Sequence, residues 1–195
     1  MRLIRTNTDS PLWQQAWSLY ESSFPAHEKR SPEQQAEIMN RKGYNPYIAV
    51  ADDGTFEGLL FFWLYDQAVY VEHLAVRPEM RGRNIGSRLV EELAERYPNR
   101  TVILEIDPPE DEISCRRKGF YERLGFKANG CYRYVHPSYL VGEQAHPHDL
   151  VLMSYPAQLT DEQTEDFVKF MASHVLPTDK EIREVNCRPV RCLRK

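Results

Sequence analysis

A chain of 195 residues is long enough for one domain of ordinary size with a packed core. It is 42% hydrophobic and 28% charged, as globular proteins are, and a formal net charge of −4 argues against a general nucleic-acid binder, which needs a basic face. No apolar run reaches the roughly eighteen residues of a membrane span and the N-terminus lacks the apolar core of a signal peptide, so we expect a cytoplasmic protein without a membrane partner.

The first residues predict a strand followed by a helix. Leu3 to Thr6 is apolar enough for a short strand, and Ser10 with Pro11 resembles an N-cap followed by the first helical residue. The helix is expected to end near Pro25. Its aromatic residues recur every three or four positions, which we interpret as a core-facing stripe rather than an aromatic box that lines a ligand. These residues are Trp13, Trp17, Tyr20 and Phe24.

A second helix and a strand meander follow. Ser31, with Gln34 three positions later, predicts a capping box for a helix that ends before Gly43. The segments YIAVA, GLLFFWLY and AVYVEHLAV are then separated by turn residues and predict antiparallel strands. A helix over 84–97 comes next, indicated by apolar residues at four-residue steps.

The second half alternates strands and helices. TVILEI predicts a strand, CRRKGFYERL a helix, and Phe126 begins another strand. YRYV and LVLMSY predict late strands, and Thr160 with Gln163 predicts a capped helix over about 161–173. We expect residues 1–155 to form one domain, with 156–195 adding a C-terminal helix and a polar tail packed on that domain.

The cysteines and histidines give no metal signal. His136, His146 and His148 do not repeat a ligand spacing on a predicted helix, and no CxxC pair occurs. We therefore expect no metal site and no disulfide. The cysteines, interpreted as reduced thiols, are Cys115, Cys131, Cys187 and Cys192.

The segment VEHLAVRPEMRGRNIGSRLVEEL predicts an anion site. A buried strand leads into a loop that opens a helix, where unpaired N–H groups and the positive end of the helix dipole face a ligand. Gly82 and Gly86 allow close approach of a phosphate, and Arg81, Arg83 and Arg88 add positive charge. A plain helix-opening turn uses the same residues. The loop lacks the patterns of a P-loop and of a dinucleotide-binding turn.

This loop resembles the acetyl-coenzyme A motif of the GNAT acetyltransferase family, (R/Q)-x-x-G-x-(G/A). Arg81 matches the first position and Gly86 the last, while Asn84 replaces the middle glycine. Asparagine tolerates a left-handed backbone, so we expect the loop to form. A second segment, FYERLGF at 120–126, is similar to the FYxxxGF of the family.

The resemblance implies an α/β (α+β) fold, with a mixed, mostly antiparallel sheet of about seven strands, helices on both faces and a C-terminal helix. It also implies that the strand over 68–76 splays from the strand over 101–106, and that the exposed main chain contacts the pantetheine arm and thioester. The N–H groups of the loop would hold the pyrophosphate. The implied cofactor contacts are Leu74, Ala75, Val76, Arg81, Gly82, Arg83, Asn84, Ile85, Gly86, Ser87, Ser114 and Tyr121.

Two side chains are candidates for proton transfer. Tyr121 matches the position of a general acid in the family and would protonate the departing thiolate; the alternative is a packing tyrosine. Ser114 stands where the family often has an asparagine. Glu72 is the candidate base or water-positioning residue, with strand alternation placing it on the face opposite His73; an exposed or salt-bridged glutamate is the alternative. Glu105 is the reserve candidate.

The predicted function is transfer of an acetyl group from acetyl-coenzyme A to a primary amine on a small molecule or a peptide. The alternative is an acyl-coenzyme A sensor that binds the cofactor without turnover. Nucleic-acid binding through the basic segment 188–195 is the weaker third hypothesis, because short basic termini are usually solvated. A homodimer is left open. The tyrosines that either wall an acceptor pocket or pack within strands are Tyr132, Tyr134 and Tyr139.

Overall fold

The computed structural model describes residues 1–136, 138–140, 147–176 and the backbone of 190–191. His146, Cys187, Cys192 and most of the basic segment 188–195 therefore lie outside the described residues. The chain groups into two compact units, the first formed by residues 1–25 with 29–102 and the second by 26–28 with 103–195. The expected boundary near residue 155 stays a prediction. None of the described helices combines the length and apolar character needed to cross a membrane.

The first unit is an antiparallel meander with three helices. Its strands, paired in chain order, are β1 (Arg2–Arg5), β2 (Tyr44–Val50), β3 (Phe56–Tyr65) and β4 (Ala68–Val76). Its helices are α1 (Trp13–Ser23), α2 (Pro32–Ile38) and α3 (Ile85–Arg96). A short 3-10 turn, Pro78–Met80, joins β4 to the loop before α3.

The helices of this unit cover both faces of its strands. On one face, the ring of Tyr20 in α1 lies 6.0 Å from the ring of Phe61 in β3. The neighbouring residue Phe62 points the other way, because side chains alternate along a strand. Its ring lies 6.0 Å from that of Tyr97, the C-cap of α3. The expected aromatic stripe of α1 is confirmed, since successive rings of Trp13, Trp17, Tyr20 and Phe24 lie 5.0 to 6.0 Å apart.

The predicted start of α1 is wrong. The helix begins at Trp13 after Leu12, which makes no side-chain capping bond. Ser10 instead lies in two successive turns. Its N–H donates to the Asn7 carbonyl, and its own carbonyl accepts the Trp13 N–H. The Ser10 hydroxyl accepts the Leu12 N–H at 3.4 Å, so its bond closes the turn before the helix rather than the first turn of the helix.

The second unit takes most of β5 (Thr101–Ile106) and contains α4 (Glu112–Arg123), β6 (Lys127–Ala128), β7 (Tyr132–His136), β8 (His148–Tyr155), α5 (Asp161–Phe170) and β9 (Val190–Arg191). β8 pairs antiparallel with β6 and β7, and β7 pairs with β9. One π-helical turn, Met171–Val175, continues α5. The ring of Phe167 packs 5.7 Å from that of Tyr134, so α5 lies against β7.

The mixed α/β architecture, its mostly antiparallel sheet, and its C-terminal helix are as predicted from the sequence. In the described part of the chain, seven strands have four or more residues, and β6 and β9 are two-residue additions. The capping boxes expected at Ser31 and Thr160 are confirmed. Sequence reasoning succeeded there because a capping box is a local pattern.

Candidate active site

The loop between β4 and α3 contains two residues in the left-handed region. Gly82 has φ +75° and Asn84, the N-cap of α3, has φ +58°. The expectation that Asn84 replaces a glycine in this conformation is therefore confirmed. Gly82, Arg83 and Asn84 are exposed to solvent. The backbone of the loop thus takes the sharp turn that the sequence predicted.

The N-terminus of α3 differs from those of three other helices. α2, α4 and α5 each begin with a reciprocal capping box, whereas Asn84 makes no side-chain capping bond to α3 among the described residues. The first intrahelical bond runs from the Arg88 N–H to the Asn84 carbonyl, at 3.0 Å. The N–H groups that precede it have no partner within the helix and lie at the positive end of the helix dipole. This terminus can accept an anion.

Two details refine the predicted cofactor contacts of the loop. The Arg81 N–H donates to the Pro78 carbonyl at 3.3 Å and is thus engaged in the preceding turn. The Arg81 side chain turns back, with Nε 3.3 Å from the Val76 carbonyl. The groups left for an anion are those from Gly82 to Ser87. Arg83 and Arg88 are exposed and add positive charge beside them.

Packing fixes the end of β4 against α3. Leu74 and Val76 pack on a small core that contains Ile85 and Leu89. On the neighbouring strand, Gly58 pairs with Val76, and a Cβ built on this glycine would lie 2.6 Å from the Ala75 carbonyl oxygen. A side chain at position 58 would collide with the backbone of β4, so only glycine fits where β3 pairs with the end of β4. This contact fixes the main chain of the predicted pantetheine segment.

Glu72 lies at a β-bulge. Phe61 of β3 pairs with His73, but Phe62 pairs with Val71, so Glu72 is the extra residue. A bulge interrupts the alternation of side chains. The predicted placement of Glu72 and His73 on opposite faces is accordingly wrong, because Glu72 Oε2 lies 3.9 Å from His73 Nδ1.

Both carboxylate oxygens of Glu72 are held by hydrogen bonds. Oε1 accepts from Arg30 at 2.5 Å, and Oε2 accepts from the indole N–H of Trp63 at 2.9 Å. The side chains of Glu72 and Arg30 are 1% and 2% exposed. His73 is buried beside them, with the rings of Tyr20 and Phe24 edge-on at 4.8 and 4.7 Å. Glu72 therefore belongs to a buried ionic cluster rather than to an open surface.

Tyr121 is buried near the C-terminal end of α4. Its ring packs 5.0 Å from Phe120 and 5.6 Å from Phe126, and its carbonyl accepts the Leu124 and Phe126 N–H groups that close the turn. Burial raises the pKa of Tyr121 to about 12, against a smaller lowering by Arg117. The phenol is thus protonated at neutral pH, the form that a proton donor needs.

Ser114 has a structural role in the cap of α4. Its hydroxyl accepts the N–H groups of Glu110 and Asp111 at 3.1 and 3.0 Å and donates to Asp111. One donor and two acceptor positions are all that a hydroxyl has. A cofactor contact by this hydroxyl stays a prediction, and it would have to replace a capping bond.

The remaining candidates lie in the second unit. Glu105 is 10% exposed, and its Oε2 lies 4.0 Å from His136 Nε2. Tyr132 donates to Asp161 at 2.5 Å, which raises the pKa of Tyr132, and Tyr134 and Tyr139 are buried. These contacts agree with the interpretation of the tyrosines as packing residues.

A groove of about 320 Å³, with a lining that is partly polar and partly apolar, opens in the first unit between α1 and the turn after β4. Gln14, Gln15 and Ser18 line one side. Arg77 and Glu79, which form an ion pair, line the other. Amide, hydroxyl and carboxylate oxygens together suit a ligand that donates hydrogen bonds.

Comparison with known proteins finds acetyltransferases that are similar over the segment that contains this loop. The profile of the acetyltransferase (GNAT) family matches residues 13–126, which include α1, β4, the loop, α3 and Tyr121. A Bacillus subtilis protein described as a candidate acetyltransferase, YjbC, is 27% identical over 117 residues. The match covers 59% of this chain and 56% of that protein, so the chain spans little more than half of this relative.

Solved structures share the fold. A candidate GNAT acetyltransferase from Bacteroides thetaiotaomicron is 29% identical, with a TM-score of 0.77 over 89% of this chain and 97% of its own. An aminoglycoside 6'-N-acetyltransferase solved with coenzyme A has a TM-score of 0.55 at 21% identity, over 83% of this chain and 100% of its own.

Proposed function

We propose, from the premise that the chain belongs to the GNAT family of acetyltransferases, that it transfers the acetyl group of acetyl-coenzyme A to a primary amine. The amine attacks the thioester directly, with both substrates bound in one ternary complex. The observation that carries the proposal is the start of α3, which lacks a side-chain cap, follows two left-handed residues and is surrounded by exposed arginines.

The loop is proposed to hold the cofactor through its backbone. The N–H groups from Gly82 to Ser87 hydrogen-bond the pyrophosphate, and Arg83 and Arg88 offset its charge. The main chain of Leu74, Ala75 and Val76 lies along the pantetheine arm and donates to the thioester carbonyl, where negative charge develops as the amine attacks. The coenzyme A bound in a solved structure of the same fold supports this choice of cofactor.

Tyr121 is proposed as the general acid. When the carbon–sulfur bond breaks, the phenol donates its proton to the departing thiolate. A pKa of about 12 keeps the proton on the phenol at neutral pH, and it also makes the phenol a weaker acid than the departing thiol, so the proton has to move as the carbon–sulfur bond breaks.

The base that accepts the amine proton has two candidates. Glu72 could position a water, but its bonds to Arg30 and Trp63 weigh against direct proton abstraction. Glu105 is the other candidate, with a more exposed carboxylate. The acceptor is an amine of a small molecule or a peptide, and the groove beside α1 offers side-chain oxygen atoms of Gln14, Gln15 and Ser18 to its hydrogen-bond donors.

A reducing compartment suits this protein. The structure shows Cys115 and Cys131 as exposed free thiols, and such thiols persist in the cytoplasm. We propose that the reaction takes place there, with no membrane and no nucleic acid as partner. A homodimer remains compatible with this proposal.

The test of the proposed function combines binding with turnover. Calorimetric titration with acetyl-coenzyme A should show binding that is strongly weakened in Gly86→Val, because a branched side chain would occupy the place of the pyrophosphate. Gly130→Val is the matched control, since a Cβ on Gly130 meets no atom within 4 Å. Equal affinity in wild type and Gly86→Val would show that the loop is only a helix start. Binding without thiol release, with every amine tried, would support the sensor alternative.

A further inference from the structure

Two histidines and a glutamate meet in the second unit, outside the loop and the residues proposed for proton transfer. Glu28 Oε1 lies 3.5 Å from His148 Nε2 and 3.7 Å from His27 Nε2. One ligand atom from each residue can be chosen so that all three lie within 4.8 Å of one another. We call these three residues, His27, Glu28 and His148, the His–Glu cluster.

Regular backbone structure fixes the cluster. His27 and Glu28 are adjacent in a 3-10 turn, Ala26–Glu28, and the His27 carbonyl accepts the Tyr139 N–H at 2.8 Å. His148 is the first residue of β8 and pairs in register with His136 of β7. The three side chains are 17 to 28% exposed, so they are partly buried but open to solutes.

We propose that the His–Glu cluster is a binding site for a divalent transition metal, with Zn²⁺ as the best-suited ion. Ligands about 2.0–2.1 Å from Zn²⁺ in a tetrahedron lie about 3.3 Å apart, close to the two distances from Glu28. Two imidazoles and one carboxylate form a set that zinc uses in sites with an open fourth position. Small side-chain rotations would close the remaining gap between the histidines.

A buried histidine beside the cluster supports a ligand there. The ring of His136 lies 5.7 Å from that of His148, and its side chain is 4% exposed. Its Nδ1 makes no hydrogen bond to the residues that the structure describes. Buried imidazole nitrogens usually have a partner, and a water bound to the metal is one that this nitrogen can take. The other ring nitrogen, His136 Nε2, lies 4.0 Å from Glu105 Oε2.

The proposed site departs from the expectation of no metal that the sequence suggested. Histidine spacing along a helix could not identify it, because His27 and Glu28 come from a turn and His148 from a distant strand. Without a metal, the same geometry is a pair of histidine–carboxylate ion pairs. The two interpretations differ in whether Zn²⁺ binds specifically.

The test uses the full chain after dialysis against a chelator. Calorimetry with ZnCl₂ should show one saturable site, and Co²⁺ in its place should give the strong visible absorption of a tetrahedral site. Glu28→Gln or His148→Gln removes one ligand and should weaken Zn²⁺ binding at least about 100-fold. Loss of a group that only supports a ligand already weakens metal binding by up to about 100-fold, and loss of the ligand itself should cost at least as much. The control is His174→Gln, which changes a histidine near the end of the described chain and should bind Zn²⁺ as wild type does.

A second measurement on the wild type does not depend on whether the variants fold. Zn²⁺ that binds only the native protein must raise the melting temperature, and excess chelator must reverse the rise. An unchanged melting temperature, or equal Zn²⁺ affinity in wild type and both ligand variants, would overturn the proposal. This result does not depend on acetyl transfer, so the two proposals can fail separately.

Discussion

Arg30 and Glu72 form an ion pair that solvent barely reaches. The guanidinium lies 2.5 Å from Glu72 Oε1, and both side chains are at most 2% exposed. The guanidinium also lies 5.9 Å from the ring centre of Tyr44, which accepts a hydrogen bond from Gln35 of α2. The pair thus connects the segment before α2 with the bulge in β4. The candidate base of the reaction is part of the core of the first unit.

Removing one partner of this pair should destabilise the protein strongly. Arg30→Met leaves an uncompensated charge on Glu72 and should lower the free energy of unfolding by about 3–5 kcal/mol. In a double-mutant cycle with Glu72→Gln, measured by urea unfolding, the coupling should be at least about 1 kcal/mol. The exposed pair Arg96–Glu92 is the control, with an expected coupling of at most about 0.5 kcal/mol. Equal coupling in both pairs would contradict a structural role.

The left-handed conformation of Asn84 gives a second prediction. Asn84→Gly restores the family motif and should preserve stability and acetyl-coenzyme A affinity within a factor of a few. Asn84→Val should lower the free energy of unfolding by about 1–2 kcal/mol, because a branched residue is strained at φ +58°. It should also weaken cofactor binding measured by calorimetry. If Asn84→Val binds acetyl-coenzyme A as tightly as the wild type does, the loop does not need this backbone conformation.

Ser114 gives a third prediction. Ser114→Ala removes the N3 half of the capping box of α4, while Asp111 still accepts the backbone N–H of residue 114, and should lower the free energy of unfolding by about 1 kcal/mol. Acetyl-coenzyme A affinity should stay at the wild-type value, because the hydroxyl is already engaged in the cap. A loss of affinity with unchanged stability would instead restore Ser114 to the cofactor contacts.

Tyr121 gives the fourth prediction. Tyr121→Phe keeps the ring and its contacts with Phe120 and Phe126, so turnover should fall about 10²- to 10⁴-fold with little change in cofactor affinity. The readout is the initial rate of thiol release under conditions in which chemistry limits the rate. A wild-type rate would mean that the thiolate takes its proton from water or another residue.

The pKa of the same phenol predicts how stability depends on pH. The folded-state pKa, about 12, is raised above the ordinary value of 10.0, so the neutral phenol favours the folded state. Its contribution is complete below pH 10 and is lost as the pH rises through about 12. Over that pH range the free energy of unfolding of the wild type should fall by about 2–3 kcal/mol relative to that of Tyr121→Phe. Parallel stability curves for the two proteins would show that Tyr121 ionises freely when folded.

Local patterns in the sequence predicted much of the fold. The capping boxes at Ser31 and Thr160, and the left-handed turn at Asn84, depend only on residues a few positions apart. The bulge at Glu72 depends on how β3 pairs with β4 and reversed the expected side of His73. Strand alternation alone carries no signal of an inserted residue.

The His–Glu cluster shows the same limit in the candidate sites. His27 and Glu28 are ordinary turn residues in the sequence, and only the folded second unit brings His148 to them. The role of Ser114 was missed for a different reason, because its pattern is local and lies within the sequence. Its position suggested a cofactor contact, whereas Asp111 three residues earlier makes it part of a helix cap.

Acetyl transfer by this protein is tested most directly by a search for the acetylated product. The purified chain is incubated with acetyl-coenzyme A and a panel of polyamines, aminoglycosides, amino acids and peptides, and each amine is examined by mass spectrometry. At least one amine should gain a single acetyl group together with the release of an equal amount of free thiol, and both products should be lost in Gly86→Val. Tight cofactor binding with no acetylated amine across the whole panel would contradict the proposed acetyl transfer.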